Sequence, residues 1–161
     1  VPQPDHTGEG EPSIPAAVVE WCHALHYLQM ACEKIAKAYR LRDTAADPDE
    51  LMGGHVGFPR FIRAFCKAPQ VKAVYDGRAS HLRSLEKSAF QLAQEVEKLA
   101  PAADRAARPD NAEYPWAVGD LVVVPAHYAY PNLSLLRQPG GRAFLKIVGR
   151  AMSGFEEIRI Y

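Results

Sequence analysis

The chain has 161 residues, 48% of them hydrophobic and 24% charged, and its formal net charge is zero. That length suits one domain able to bury roughly 70% of its extended surface without disulfide or metal staples. Zero net charge excludes a global field toward nucleic acid or membrane, so any electrostatic partner must be met by a local patch.

Residues 1–12 read as a flexible lead, rich in Pro, Gly and Glu and poor in apolar anchors. Residues 13–161 read as a single helical domain. Ser13 suits an N-cap and Pro15 a first turn, and nothing breaks a helix over residues 14–41. Val18, Trp21, Cys22, Leu25, Leu28, Cys32, Ile35 and Tyr39 recur every three or four positions, and interleaved alanines widen the stripe. An arc that wide predicts a helix central to a bundle, or one shared between a core and an oligomer interface. Asp47-Pro48-Asp49-Glu50 is a compact helix start, with an acidic cap, Pro in the first turn and Glu three residues on. Short helices are then expected through Phe58, Phe61, Ile62 and Phe65, with Pro59 in the first turn, and over residues 69–75, ended by Asp76-Gly77.

A second long amphipathic helix is predicted over residues 79–100. Leu82, Leu85, Ala89, Leu92, Val96 and Leu99 alternate spacings of three and four, the seam of a helix packed lengthwise on another. Pro101 closes it. After a polar loop, Tyr114-Pro115-Trp116 is read as a corner fixed by two buried aromatics. Leu121-Val122-Val123-Val124 is compatible with a small β-hairpin near residues 119–130. A helical turn over residues 132–136 and a last helix from Pro139 through Met152 complete the reading, with residues 155–161 open between strand and helix tail. The fold class is therefore mainly α, a helical bundle around two long helices.

Cys22, Cys32 and Cys66 are odd in number and form no Cys-x-x-Cys pair, which argues for a reducing compartment. No apolar run reaches the ~18 residues of a membrane span, and residues 1–13 lack a signal-peptide core. A cytoplasmic protein away from membranes is the expectation. Cys22 and His26 stand one helical turn apart, but no second ligand pair appears at partner spacing, so neither metal nor cofactor is expected.

Three sets of residues carry candidate chemistry. His26, Glu33 and Lys37 align along the first helix, either as a solvated ion-pair stripe or as a polar groove against the second long helix. Arg60, Arg63, Lys67, Lys72, Arg78 and Arg83 face a single acid, Asp76, between residues 57 and 84. Such a basic segment can neutralise phosphates, so Arg60, Arg63, Lys67, Lys72 and Arg83 are candidate RNA- or anion-binding residues. It can equally meet an acidic protein partner. A second basic stretch comprises Arg137, Arg142, Lys146 and Arg150. Arg78 and His81, at the start of the second long helix, are the acid–base candidates: an Arg to hold a phosphate and a His to move protons. No Gly-rich phosphate loop or nucleophile elbow accompanies them.

The stretch His26-Tyr27-Leu28-Gln29-Met30-Ala31-Cys32-Glu33-Lys34-Ile35-Ala36-Lys37-Ala38 resembles the first long helix of HEPN domains, with its Glu-Lys-x-x-Lys-Ala ending. The helix from His81-Leu82 and the following Tyr114-Pro115 resemble the later part of that fold, so the likeness spans about half the chain. It implies a helical bundle, a homodimer formed through long helices, and association with RNA or a cognate protein partner. Many relatives are metal-independent ribonucleases of toxin–antitoxin or phage-defence systems. Their active members carry an Arg followed after four to six residues by a His, whereas only two residues separate Arg78 from His81. The first reading is thus a HEPN-like non-catalytic module; the alternative is a divergent ribonuclease using His81 and Arg78, and a third option, resting on the basic face, is a structural accessory protein binding an acidic protein partner.

Overall fold

The computed structural model describes residues 16–44, 46–52, 54, 57–101 and 110–160, with side chains from Trp21 onward except that of Met52. The expectations for residues 1–12, and for Ser13 and Pro15 as a helix start, lie outside the described residues. Among those described, the chain is a mainly α-helical bundle: α1 (Ala16–Asp43), α2 (Pro48–Met52), α3 (Phe58–Lys67), α4 (Pro69–Val74), α5 (Ala79–Glu97) and α6 (Pro139–Ser153). Between α5 and α6 lie an antiparallel hairpin, β1 (Trp116–Val118) and β2 (Leu121–Val123), and two 3-10 segments, Pro125–His127 and Pro131–Arg137.

The period of α5 explains its position. Leu82, Ala89, Leu92 and Val96 are buried along one stripe, and that stripe lets α5 pack against α3, α6 and α1 at once. Regular helix ends at Glu97, before the predicted residue 100, because Leu99 and Ala100 close a tight turn ahead of Pro101. On α1 the buried members are Cys22, Leu25, Gln29, Cys32 and Tyr39, while Trp21, Leu28 and Ile35 are half-covered. Tyr27, Met30 and Leu41 of the same helix stay exposed, so the core covers one side of its wide arc and leaves another bare.

An aromatic ladder forms the centre. Phe58, Phe61 and Phe65 stack along α3 at centroid distances of 5.8 and 5.5 Å, and Tyr39 of α1 meets Phe61 at 5.1 Å. Burying each such ring stabilises the fold by roughly 1.5–3 kcal/mol. Tyr39 has no exposed surface, and its hydroxyl donates to the Ala151 carbonyl of α6 at 2.9 Å. Tyr39→Phe strips that one bond and orphans a buried carbonyl. The expected loss is about 1 kcal/mol in urea unfolding, with an unchanged slope. Gly141 is fixed by close approach, since a Cβ there would lie 2.1 Å from the Leu136 carbonyl oxygen.

The last turn of α1 clasps the C-terminal segment. The Arg42 guanidinium sits between the Tyr39 and Phe155 rings, 4.6 and 4.4 Å from their centroids. Its Nη2 donates to the Ile158 carbonyl at 2.6 Å and to Asp43 at 2.7 Å, and its Nε donates to the other Asp43 oxygen. Asp43 also accepts from Arg159 at 3.1 Å and from the Ile160 amide at 3.0 Å.

Two local readings are corrected. The Tyr114-Pro115-Trp116 corner is not held by two buried aromatics: Tyr114 is exposed, and Trp116 is half-buried, edge-on to Tyr128 at 5.1 Å. Buried Asn111 fixes it instead, its Oδ1 accepting from the Glu113 and Tyr114 amides and its Nδ2 donating to the Tyr114 carbonyl. The hairpin begins before residue 119, at Trp116, with its turn at Gly119-Asp120, and the chain after Val123 enters a 3-10 turn. The end of the chain resolves as a turn over residues 154–157 followed by irregular backbone.

Candidate functional site

The exposed side of α3 carries Arg60, Arg63 and Lys67, three positions that a helix of 3.6 residues per turn places on one face. They are brought together with Arg159 around one shallow groove that also includes Ala68 and Ile160; among the described residues no carboxylate lines it, and Arg159 is paired with buried Asp43 at 3.1 Å. Arg63 is held by stacking: its guanidinium carbon lies 3.6 Å from the centre of the Phe90 ring of α5. Arg60 and Lys67 have no ion-pair partner among the described residues. Lys72 and Arg83 lie apart from this groove. They border a second depression that shares Lys67 but also contains Asp76 and Glu86. The basic segment thus divides into one groove lined, among the described residues, by cations without carboxylates and a second of mixed charge.

The polar set on α1 also divides. Glu33 and Lys37 form an ion pair at 2.7 Å, both side chains less than one-fifth exposed, and Gln29 donates to the other Glu33 oxygen at 3.1 Å. All three line a cavity of about 600 Å³ between α1, α2, the start of α3 and the end of α5. His26 does not join them. It faces Glu113 at 3.6 Å, and its Nδ1 is buried without a hydrogen-bond partner among the described residues.

Arg60 of the basic groove also lines this cavity, together with Arg40, Glu50 and Glu97, which the sequence did not single out, over an apolar wall of Cys32, Ala36, Leu51, Phe58 and Val96. Glu97 Oε2 accepts the Gly57 and Phe58 amides at 2.6 and 3.0 Å, capping α3 from 40 residues away. Gly57 at φ 138° makes that approach feasible. Burial pushes the Cys32 thiol far up and the Cys66 thiol to about 12, so both stay protonated and inert as nucleophiles.

Arg78 and His81 meet around a third residue, Tyr75. The His81 ring stacks on Tyr75 at 5.9 Å, and Arg78 lies 5.8 Å from the same ring while donating to the Val74 carbonyl at 3.0 Å. Both side chains are exposed. Among the described residues no three His, Cys, Asp or Glu side chains converge as metal ligands, and no helix is long and apolar enough to cross a membrane. Comparison with protein-family models, curated proteins and solved structures finds no match to this chain.

Proposed function

We propose that the chain is a HEPN-like, non-catalytic module that holds RNA against the outer face of α3. The observation that carries this reading is the groove of Arg60, Arg63, Lys67 and Arg159: among the described residues no carboxylate lines it, and of its four cations only Arg159 is ion-paired, to buried Asp43. On a protein of zero net charge such a groove is a local anion receptor, and a phosphate backbone is the ligand that uses cations in a row. The test is titration of a fluorescent single-stranded RNA at several salt concentrations, with and without excess EDTA. Steeply salt-dependent binding supports the reading. An absence of binding favours an acidic protein partner instead. Cleavage under EDTA, lost in His81→Ala, favours the ribonuclease that pairs His81 with Arg78.

Self-association belongs to the same proposal. Tyr27, 68% exposed, stands with Met30 and Leu41 on the bare side of α1, a ridge that a second copy could cover. A dimer is expected by sedimentation at micromolar concentration, with Tyr27→Glu/Met30→Glu sedimenting as a monomer of unchanged helicity. A monomeric wild type would overturn this half of the proposal and leave the groove untouched.

A further inference from the structure

The cavity between α1, α2, α3 and α5 has a charge pattern the basic groove lacks. Its volume, about 600 Å³, is within the range of small-molecule sites. Among the described residues, three cations (Lys37, Arg40, Arg60) and three carboxylates (Glu33, Glu50, Glu97) line it. Lys37 and Glu33 satisfy each other at 2.7 Å. That leaves Arg40 and Arg60, without ion-pair partners among the described residues, facing Glu50 and Glu97. Both backbone amides that Glu97 caps are bound by Oε2, and its Oε1 accepts no hydrogen bond from the described residues.

Gln29 adds a built polar contact. It is 4% exposed and lines the cavity, and its Nε2 donates one hydrogen bond to Glu33. Its Oε1 accepts no hydrogen bond from the described residues. The cavity therefore offers two guanidinium groups as donors, an amide oxygen and a carboxylate oxygen as acceptors, and an apolar wall of Phe58, Leu51, Val96 and Ala36.

This set selects among ligand classes. A hydrocarbon would leave buried Gln29 and half-buried Glu97 facing an apolar surface. A phosphate dianion would gain two arginines but meet two carboxylates in the same space. A zwitterion with an apolar body meets both arginines, Glu97, Gln29 and the apolar wall, and leaves exposed Glu50 to water. We infer that the cavity is a receptor site for an α-amino acid or dipeptide with an apolar side chain. Its carboxylate lies on Arg40 and Arg60, its ammonium on Glu97 and Gln29, and its side chain against Phe58, Leu51 and Val96. The inference does not rest on the RNA reading.

The test is calorimetric titration of the full chain with L-leucine, L-phenylalanine and leucyl-phenylalanine. N-acetyl-L-phenylalanine, L-phenylalaninamide and guanosine monophosphate serve as comparison ligands. At least one zwitterion is expected to bind saturably. Its N-acetylated and amidated counterparts should be about tenfold weaker or worse, each losing one charge-assisted contact. Arg40→Gln, at an exposed position that leaves folding intact, is expected to weaken the zwitterion similarly and leave RNA affinity unchanged. Ala36→Phe, checked for folding by circular dichroism, fills the cavity and should abolish binding. No saturable zwitterion binding overturns the assignment, as does blocked-analogue affinity equal to the parent, tighter binding of the nucleotide, or full affinity in a folded Ala36→Phe.

Discussion

Asp43→Ala is expected to lower the unfolding free energy by about 3 kcal/mol or more, the usual consequence of removing one partner of a buried charge pair. The Asp43 side chain is 1% exposed and receives Arg42, Arg159 and the Ile160 amide together. Without it Arg42 remains between two aromatic rings with one carbonyl acceptor, and its Nη1 is already buried without a partner among the described residues. For a domain of this size the loss corresponds to a fall in Tm of roughly 6–12 °C. Replacing both members, Arg42→Met/Asp43→Ala, removes the stranded charge and should restore much of the loss. A double mutant as unstable as the sum of its single changes would show that the clasp is not a coupled pair.

The same clasp sets an acid limb. Hydrogen bonding from Arg42 holds the Asp43 carboxyl well below its ordinary value of 3.8. A carboxylate whose folded value is depressed contributes stability that is fully present above the unfolded value. That contribution fades as pH falls through the folded one. Wild-type stability attributable to Asp43 is therefore level above about pH 5 and declines below pH 4. Asp43→Asn should flatten this part of the profile in pH-dependent urea unfolding, with Arg159→Gln, at an exposed side chain, having a smaller effect.

The parts of this molecule readable in advance are those set by local periodicity. Leu82, Ala89, Leu92 and Val96 repeat at helical spacing, and burial of that stripe follows from the geometry of one helix. Pro59, Pro69 and Pro139 each sit in a first turn, where the missing amide is harmless. What escaped depends on distance along the chain. Asp43 finds Arg159 and Ile160 more than 110 positions away, and nothing near Arg42-Asp43 distinguishes a clasp from a frayed helix end. Glu97 caps α3 across 40 residues in the same way. The direction of Tyr114 is not legible in sequence, because an aromatic beside a proline can point either way, whereas Asn111 carries the loop. The shared face of Arg60, Arg63 and Lys67 follows from their spacing. The separation of Lys72 from them follows from the extended Ala68 between α3 and α4, and that of Arg83 from the further turn at Asp76-Gly77. The cavity was hidden because it is a space between four helices rather than a feature of any one.

Charge reversal at two points of the α3 groove, Arg60→Glu/Lys67→Glu, is expected to weaken single-stranded RNA binding by about a hundredfold or more at physiological salt. Each change removes an attraction and adds a repulsion, and like charges brought together cost several kcal/mol. If each side chain neutralises one phosphate, the slope of log affinity against log salt should also shrink by about 1.4, two contacts at roughly 0.7 each. Arg63 is left in place because its stacking on Phe90 would confuse a binding loss with an unfolding one. The decisive comparison is Arg142→Glu/Lys146→Glu on α6, two exposed cations outside the groove. Either pair takes the formal charge from zero to −4, two units per reversal. Equal losses in the two variants would mean that RNA responds to net charge and that the groove is no site. A loss confined to Arg60 and Lys67 requires the phosphates to lie along α3, because net charge is matched and only position differs.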